Sequence, residues 1–364
     1  MKKLAWVPLA FVGMVFGLAV PLRLQAQQAK KIGPVDVFEN LWSEFNANYS
    51  FFELKGVSWP ESYRKYRPRV NEQLTGDQLF TVCWEMLEEL KDAHVTLTDE
   101  ATNMSRHGGK PVRLLEDFPN QKALVSLLNV IDGNLKQDGF GEMTRVKFEI
   151  PYLAGHVIEF SSNSLFGYLR INLMFGLEED KFNQAIVEAI ERFKDLAGVI
   201  VDVRFNTGGL DTYSYAIAGR FADIKRLGHY RRLKSKDGFS ELESWVVQPS
   251  GKRQFVKPVV LLTSSLVVSA GDVFAMAMKQ LPHVTIIGEN TQGFFSDTYD
   301  GKLPNGWTFT LSFQQYFTVD KKNPEGIGIA PDILVINTGK DLKESKDPLL
   351  EKALEILNGK LKSK

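Results

Sequence analysis

This sequence predicts an α/β protein built on a mainly parallel sheet, and three observations carry that reading. From Gly167 to Gly288, buried-type strands alternate with amphipathic helices in β-α-β-α-β order, which implies right-handed crossovers. Ahead of this block, residues from about Pro34 to Leu97 carry helical spacing. Between the two, residues from about Ala101 to Ser164 hold short β-prone pieces broken by Gly, Asn and Asp, which predicts a small, mainly β insertion.

The chain starts with Lys2 and Lys3, followed by a nearly unbroken apolar run of 17 residues from Leu4 to Val20. Leu24 and Ala26 then fit the −3/−1 pattern of a signal-peptidase site, so a signal peptide is expected over 1–26 and a mature start near Gln27. A retained membrane anchor is the alternative, for which 17 residues is marginal. Phe38, Leu41, Trp42, Phe45 and Tyr49 mark one helix face. After the loop around Trp59 and Pro60, Thr75 and Gln78 form a capping box, with Leu79, Val82, Cys83, Met86, Leu87 and Leu90 as the stripe of the helix it opens. That helix runs into Lys91-Asp92-Ala93-His94, and Val95 to Thr98 alternates like a strand. In the insertion, Ala123–Val130 and Arg145–Ile150 are the β-prone pieces.

The later block predicts strand 167–173, a helix marked by Phe182, Ala185, Ile186, Ala189, Ile190, Phe193 and Leu196, and strand 199–203. A helix from Thr212 to Ala222, strand 258–263, helix 270–280 and strand 284–288 follow. Trp307 to Val319 reads as further strand, and Leu349 to Leu361 as a terminal amphipathic helix. The expected organisation is a signal peptide (1–26), an N-terminal helical subdomain (27–100), a β-rich insertion (101–165), a catalytic-type core (166–340) and a C-terminal helix (341–364).

Lys plus Arg equal Asp plus Glu at 44 each and no basic block occurs, so a nucleic-acid partner is not expected. Cys83 is the single cysteine, which rules out an internal disulfide and reads as a buried small hydrophobe. H-E-x-x-H, paired cysteines and close histidine pairs are missing from the sequence, and Gly208-Gly209 lacks both the Walker lysine and the dinucleotide fingerprint. No metal and no cofactor are therefore expected.

In open α/β sheets, ligands bind beyond the carboxyl ends of the strands. Two loops fall there: Asn206-Thr207-Gly208-Gly209, and Val267-Val268-Ser269-Ala270-Gly271-Asp272 at a helix start. Ser269 fits two roles, a helix cap with Asp272 as its N3 acid, or a nucleophile. In the second, the Ala270 N–H and an amide of the Gly208-Gly209 turn would hold the oxyanion. Of the five histidines, His94 stands out at a helix–strand junction, either as a structural residue or as the base. Glu325, in a Gly-rich late loop, is either a solvated acid or the carboxylate that orients the imidazole.

Six segments, in order, carry a resemblance. They are Leu90-Lys-Asp-Ala-His94, Gly167-Tyr-Leu-Arg-Ile171, Val201-Asp-Val-Arg-Phe-Asn-Thr-Gly-Gly-Leu210, Ser269-Ala-Gly-Asp-Val-Phe-Ala275, Ile287-Gly-Glu-Asn-Thr-Gln-Gly293 and Glu325-Gly-Ile-Gly-Ile-Ala-Pro-Asp-Ile333. Together they resemble peptidase family S41, the tail-specific and C-terminal processing peptidases, and they imply a ClpP/crotonase-like core and serine-type peptide hydrolysis. Phe294 stands where processing peptidases carry the lysine of a Ser–Lys dyad, so the chain is closer to the tricorn-core and interphotoreceptor retinoid-binding branch. That branch uses a histidine from the D-x-H region and a late glutamate, which implies Ser269, His94 and Glu325 as the catalytic set. Ala93 replaces the serine that precedes the histidine in the tricorn pattern, and no PDZ module is recognisable.

Two functions are expected from this pattern. One is a peptidase acting on exported proteins or peptides in the periplasm or outside the cell, with no stable membrane insertion after signal cleavage. The other is a catalytically impaired S41-fold protein that binds an apolar ligand or peptide through Phe294 and Phe295, the residues also expected to contact substrate.

Overall fold

The computed structural model describes residues 32–146, 149–150, 155–175 and 178–362; the expected signal segment lies outside them. Its centre is a seven-stranded sheet in the order Ile333–Leu334, Val284–Gly288, Val259–Thr263, Gly198–Asp202, Phe166–Ile171, Ile158–Ser162, Thr144–Arg145. The first five run parallel, and the last two are added antiparallel. Gly198–Asp202 and Val259–Thr263 are buried at every position, the mark of parallel strands covered on both faces. The helix Glu179–Phe193 turns Phe182, Ile186, Ile190 and Phe193 inward, and the helix Ala270–Met278 is buried along its whole length. Leu349, Leu350, Ala353 and Leu357 dock the terminal helix Pro348–Lys362. Parallel strands bring their carboxyl ends to one edge, so the loops after Asp202 and Thr263 lie side by side.

The N-terminal helices Pro34–Asn48 and Gly76–Glu88 form as expected, and a further helix, Trp59–Tyr66, starts where a loop was expected around Trp59 and Pro60. Both arms of the capping box are made: Gln78 N–H donates to Thr75 Oγ1 at 3.3 Å, and Thr75 N–H to Gln78 Oε1 at 3.0 Å. These helices build a second apolar cluster with Leu97, Leu303, Trp307, Phe309 and Leu311. The link is an antiparallel sheet in which Thr96–Asp99 pairs with both Met104–His107 and Thr308–Ser312, the latter paired in turn with Thr298–Lys302. This pairing fixes His94 against the late part of the chain, where Thr310 Oγ1 donates to the His94 carbonyl at 2.6 Å.

The segment expected to be mainly β contains instead the helices Arg113–Asp117 and Gln121–Gln137. Leu124, Leu127, Leu128, Ile131 and Leu135 follow helical spacing and are buried, and Asn120 Oδ1 caps the helix by accepting the Ala123 N–H at 3.0 Å. The strand reading of Ala123–Val130 fails because its aliphatic content outweighed a periodicity that continues past Asp132 and Gly133. A second difference is the strand Arg226–Ser235, which pairs with Glu243–Val247 and with Gln314–Phe317. Its run of cations hid any alternation.

Behind the site edge, Arg204 is fully buried between two carboxylates. Its Nη2 donates to Asp202 Oδ2 at 2.7 Å and to Asp347 Oδ2 at 2.9 Å, and Nη1 donates to Asp347 Oδ1 at 2.8 Å. The arrangement ties the end of a central strand to the start of the terminal helix. Losing Asp347 leaves Arg204 with Asp202 but removes two buried charge-assisted hydrogen bonds, so Asp347→Ala is expected to lower stability by about 3 kcal/mol or more. Urea unfolding of the two proteins checks this; equal midpoints would show that the pair holds nothing together.

Candidate active site

The loop after Gly198–Asp202 is shaped by Asn206. Its buried Nδ2 donates to the Ile171 carbonyl at 3.0 Å, and its Oδ1 accepts the Gly208 N–H at 2.9 Å. Gly208 and Gly209 adopt φ +101° and +139°, where a side chain is strained. A Cβ on Gly209 would stand 2.1 Å from the Met174 carbonyl oxygen, and one on Gly208 would stand 2.8 Å from Ser269 Cβ. Met174 N–H donates to the Gly208 carbonyl and Leu210 N–H to the Met174 carbonyl, which leaves the Gly209 N–H outside that pairing. The expectation that Gly208 and Gly209 serve as alternative oxyanion donors therefore meets an asymmetry: the Gly208 N–H is already used. Gly209→Ala is expected to reduce kcat/KM by about 10²-fold or more by displacing this turn. Steady-state kinetics with a folding control checks this, and unaltered turnover would free the turn of any role.

Ser269 itself has φ +59° and ψ −123°, a strained conformation for a non-glycine residue, at the turn from strand into helix. It is held by its own backbone, whose N–H donates to Asp272 Oδ2 at 2.9 Å and to the Phe294 carbonyl at 3.1 Å. Asp272 also accepts the Gly293 N–H at 2.9 Å and the Phe294 N–H at 3.1 Å. Burial pushes its carboxyl up to about 7, against the Thr291 side chain and these backbone donors, which favour the charged form. Ala270 opens the helix, so its N–H has no intrahelical acceptor and sits next to the serine.

His94 is delivered from the N-terminal part. Buried Asp92 accepts the His94 N–H at 2.9 Å through Oδ1 and the Tyr49 hydroxyl at 2.9 Å through Oδ2. His94 and Ser269 line one cleft of about 530 Å³, together with Thr207, Gly209, Leu210 and Asp297. Burial lowers the pKa of His94, with Asp92 and Asp297 opposing. Its Nδ1 is buried without a hydrogen-bond partner among the described residues. A cleft of about 620 Å³ between Asp132 and Arg145 holds none of the candidate residues, so chemistry and not size selects the smaller one.

Glu325 does not line the cleft. Its Oε2 accepts the Phe295 N–H at 3.0 Å, and its Oε1 lies 3.4 Å from Lys55 Nζ. Burial, then the charge of Asp92, raises its carboxyl to about 8, opposed by Lys55. No hydrogen bond joins it to His94, and Glu325 Oε1 shares with His94 Nδ1 the condition of a buried atom lacking one. Phe294 and Phe295, expected to contact substrate, are instead buried at 1% and 2% exposure. Phe294 packs edge-on to His94 at 6.5 Å between Lys55 and Lys110, and Phe295 packs on Tyr316. Their side chains turn inward because their backbone is committed to Ser269, Asp272 and Glu325. Sequence reasoning did not select Asp92, Asn206 or Asp297; Asp92 and Asn206 lay within the quoted motifs as the only signal.

Known proteins match this chain over both its N-terminal and its later part. The profile of peptidase family S41 matches residues 165–335, and that of the tricorn protease C1 domain matches residues 36–88. The carboxy-terminal processing protease CtpA of Bacillus subtilis is 26% identical over 147 residues, covering 40% of this chain and 30% of that protein. The tricorn protease of Thermoplasma volcanium is 28% identical over 200 residues, covering 54% of this chain and 18% of that protein. This chain therefore spans less than a third of either relative. A solved structure from Parabacteroides merdae, assigned as a peptidase, is 28% identical with a TM-score of 0.73, covering 90% of this chain and 97% of that one.

Proposed function

We propose that this chain, which carries a peptidase family S41 domain at residues 165–335 and a tricorn C1 domain at residues 36–88, hydrolyses peptide bonds with Ser269 as nucleophile and His94 as general base. The observation that carries the reading is one shared cleft: an imidazole and a hydroxyl 175 positions apart in sequence line the same cavity. Ser269 Oγ attacks the substrate carbonyl as its proton passes to His94. The Ala270 and Gly209 N–H groups receive the developing oxyanion, and Gly208 permits the close approach that a Cβ would block. His94 then gives the proton to the leaving amine, and water repeats the sequence on the acyl-enzyme.

Glu325 is assigned as the orienting carboxylate. Burial and then the charge of Asp92 raise its carboxyl to about 8 while Lys55 opposes, and an imidazolium formed at His94 would favour the charged form in the same sense as Lys55. His94 Nδ1 and Glu325 Oε1 are both buried without a hydrogen bond among the described residues, the latter 3.4 Å from Lys55 Nζ, which supports this pairing during turnover. The basic start, the apolar run and Ala26 support export, with the mature chain acting in the periplasm or outside the cell. No described helix is long and apolar enough to cross a membrane.

A fluorophosphonate probe tests the chemistry. Labelling of the purified protein that vanishes in Ser269→Ala and His94→Ala is expected; equal labelling of wild type and Ser269→Ala removes Ser269 from the mechanism. Peptides spanning natural N-termini of the secreted protein should begin near Gln27.

A further inference from the structure

We infer that Asp297 selects substrates carrying a lysine or arginine side chain beside the scissile bond, an inference that rests on the peptidase reading of the cleft. Asp297 is half-buried on the wall shared by His94 and Ser269, and among the described residues neither Lys nor Arg lines that cavity. Its carboxylate is fixed from behind: Gln314 Nε2 donates to Asp297 Oδ2 at 3.0 Å, and Gln314 Oε1 accepts the Asp297 N–H at 3.2 Å. Gln314 is itself buried and receives the Tyr316 hydroxyl at 2.9 Å, which also reaches Asp211 Oδ2 at 2.6 Å. The side chain is thus held in place without a cationic partner of its own. The nearby cations are committed elsewhere, Arg231 to Glu243 at 3.0 Å and Lys55 to Glu325 at 3.4 Å.

The rest of the cleft fits the same kind of ligand. Asp297 is the carboxylate that lines the cleft, whereas Asp211, outside that lining, is pushed by burial and then by the Asp297 charge up to about 7. Leu210, 47% exposed, and Val268 offer an apolar surface on the cleft wall. A long aliphatic stem can lie along such a surface while its charged end reaches a carboxylate. A substrate acid placed there would face an unscreened like charge, so the same residue also rejects.

The test compares matched peptides with lysine or acetyl-lysine at the position before the scissile bond, using the full mature chain. Wild type is expected to prefer lysine by about 10-fold in kcat/KM, the size of one close charge pair in a half-buried setting. In Asp297→Asn the lysine-to-acetyl-lysine ratio should fall towards one, and in Asp297→Lys it should invert in favour of acetyl-lysine. A wild-type ratio near one, or a ratio unchanged in Asp297→Asn, overturns the assignment. Calorimetric binding of the same peptides to Ser269→Ala reads the preference without turnover. A protein that prefers lysine peptides in binding but hydrolyses nothing would refute the peptidase reading alone; one that cleaves both peptides equally would refute only the role of Asp297.

Discussion

Ser269→Ala is expected to lower kcat by about 10⁴-fold or more, leaving only the residual rate that oxyanion contacts and binding sustain. His94→Ala should cost a similar amount, because a hydroxyl without its base is a weak nucleophile. The two effects should not add, since each removal already disables the same step. The double variant is therefore expected to match the single ones within a few-fold. Peptide hydrolysis in the four proteins reads this out, and fully additive losses would place the two residues in separate steps. The pH profile gives an independent check. Burial lowers the pKa of His94, and the base must be neutral, so the acid limb of kcat/KM should fall below the ordinary value of about 6.5. A limb near 8 would instead assign the profile to Glu325.

Asp272→Ala should be the most damaging change outside the reacting groups. The carboxylate gathers the N–H groups of Ser269, Gly293 and Phe294, and so joins the strained serine to the turn beside His94. Each buried donor left without a partner costs about 1–3 kcal/mol, and Ser269 would lose one of the two contacts that hold φ at +59°. A stability loss of about 3 kcal/mol or more, with activity down by more than 10²-fold, is expected. Asp272→Asn removes the titration but also replaces one accepting oxygen by an NH2 donor, so it is compared through its pH dependence alone. Because the folded carboxyl is raised to about 7 from its ordinary value near 3.8, its favourable contribution is complete below that lower value. It is lost as pH rises through about 7, so wild type should lose stability relative to Asp272→Asn across that window. Parallel stability curves for the two proteins would mean that Asp272 titrates normally.

Both predictions concern a region that was partly readable from residue order. The alternation of apolar strands and one-sided helices from Gly167 to Gly288 marked a parallel core, because strands covered on both faces must be continuously apolar. The Thr75–Gln78 box marked a helix start because its donors and acceptors lie within one turn. Such signals are local, and they survive in sequence. The helix Gln121–Gln137 was misread where aliphatic residues favour both states and only the period over several turns distinguishes them.

What residue order determined on its own was therefore the core's layer pattern, the helix boundaries with capping chemistry, and the two loops that the strand ends bring together. The tertiary structure alone decided the rest. It paired Thr96–Asp99 with Thr308–Ser312, carried His94 to the cleft of Ser269, buried Phe294 and Phe295, and fixed Asp297 through Gln314. These are contacts between segments far apart in the chain. Their energy comes from burial and from hydrogen bonds completed only when distant surfaces meet, and no short stretch of sequence records which surface that will be.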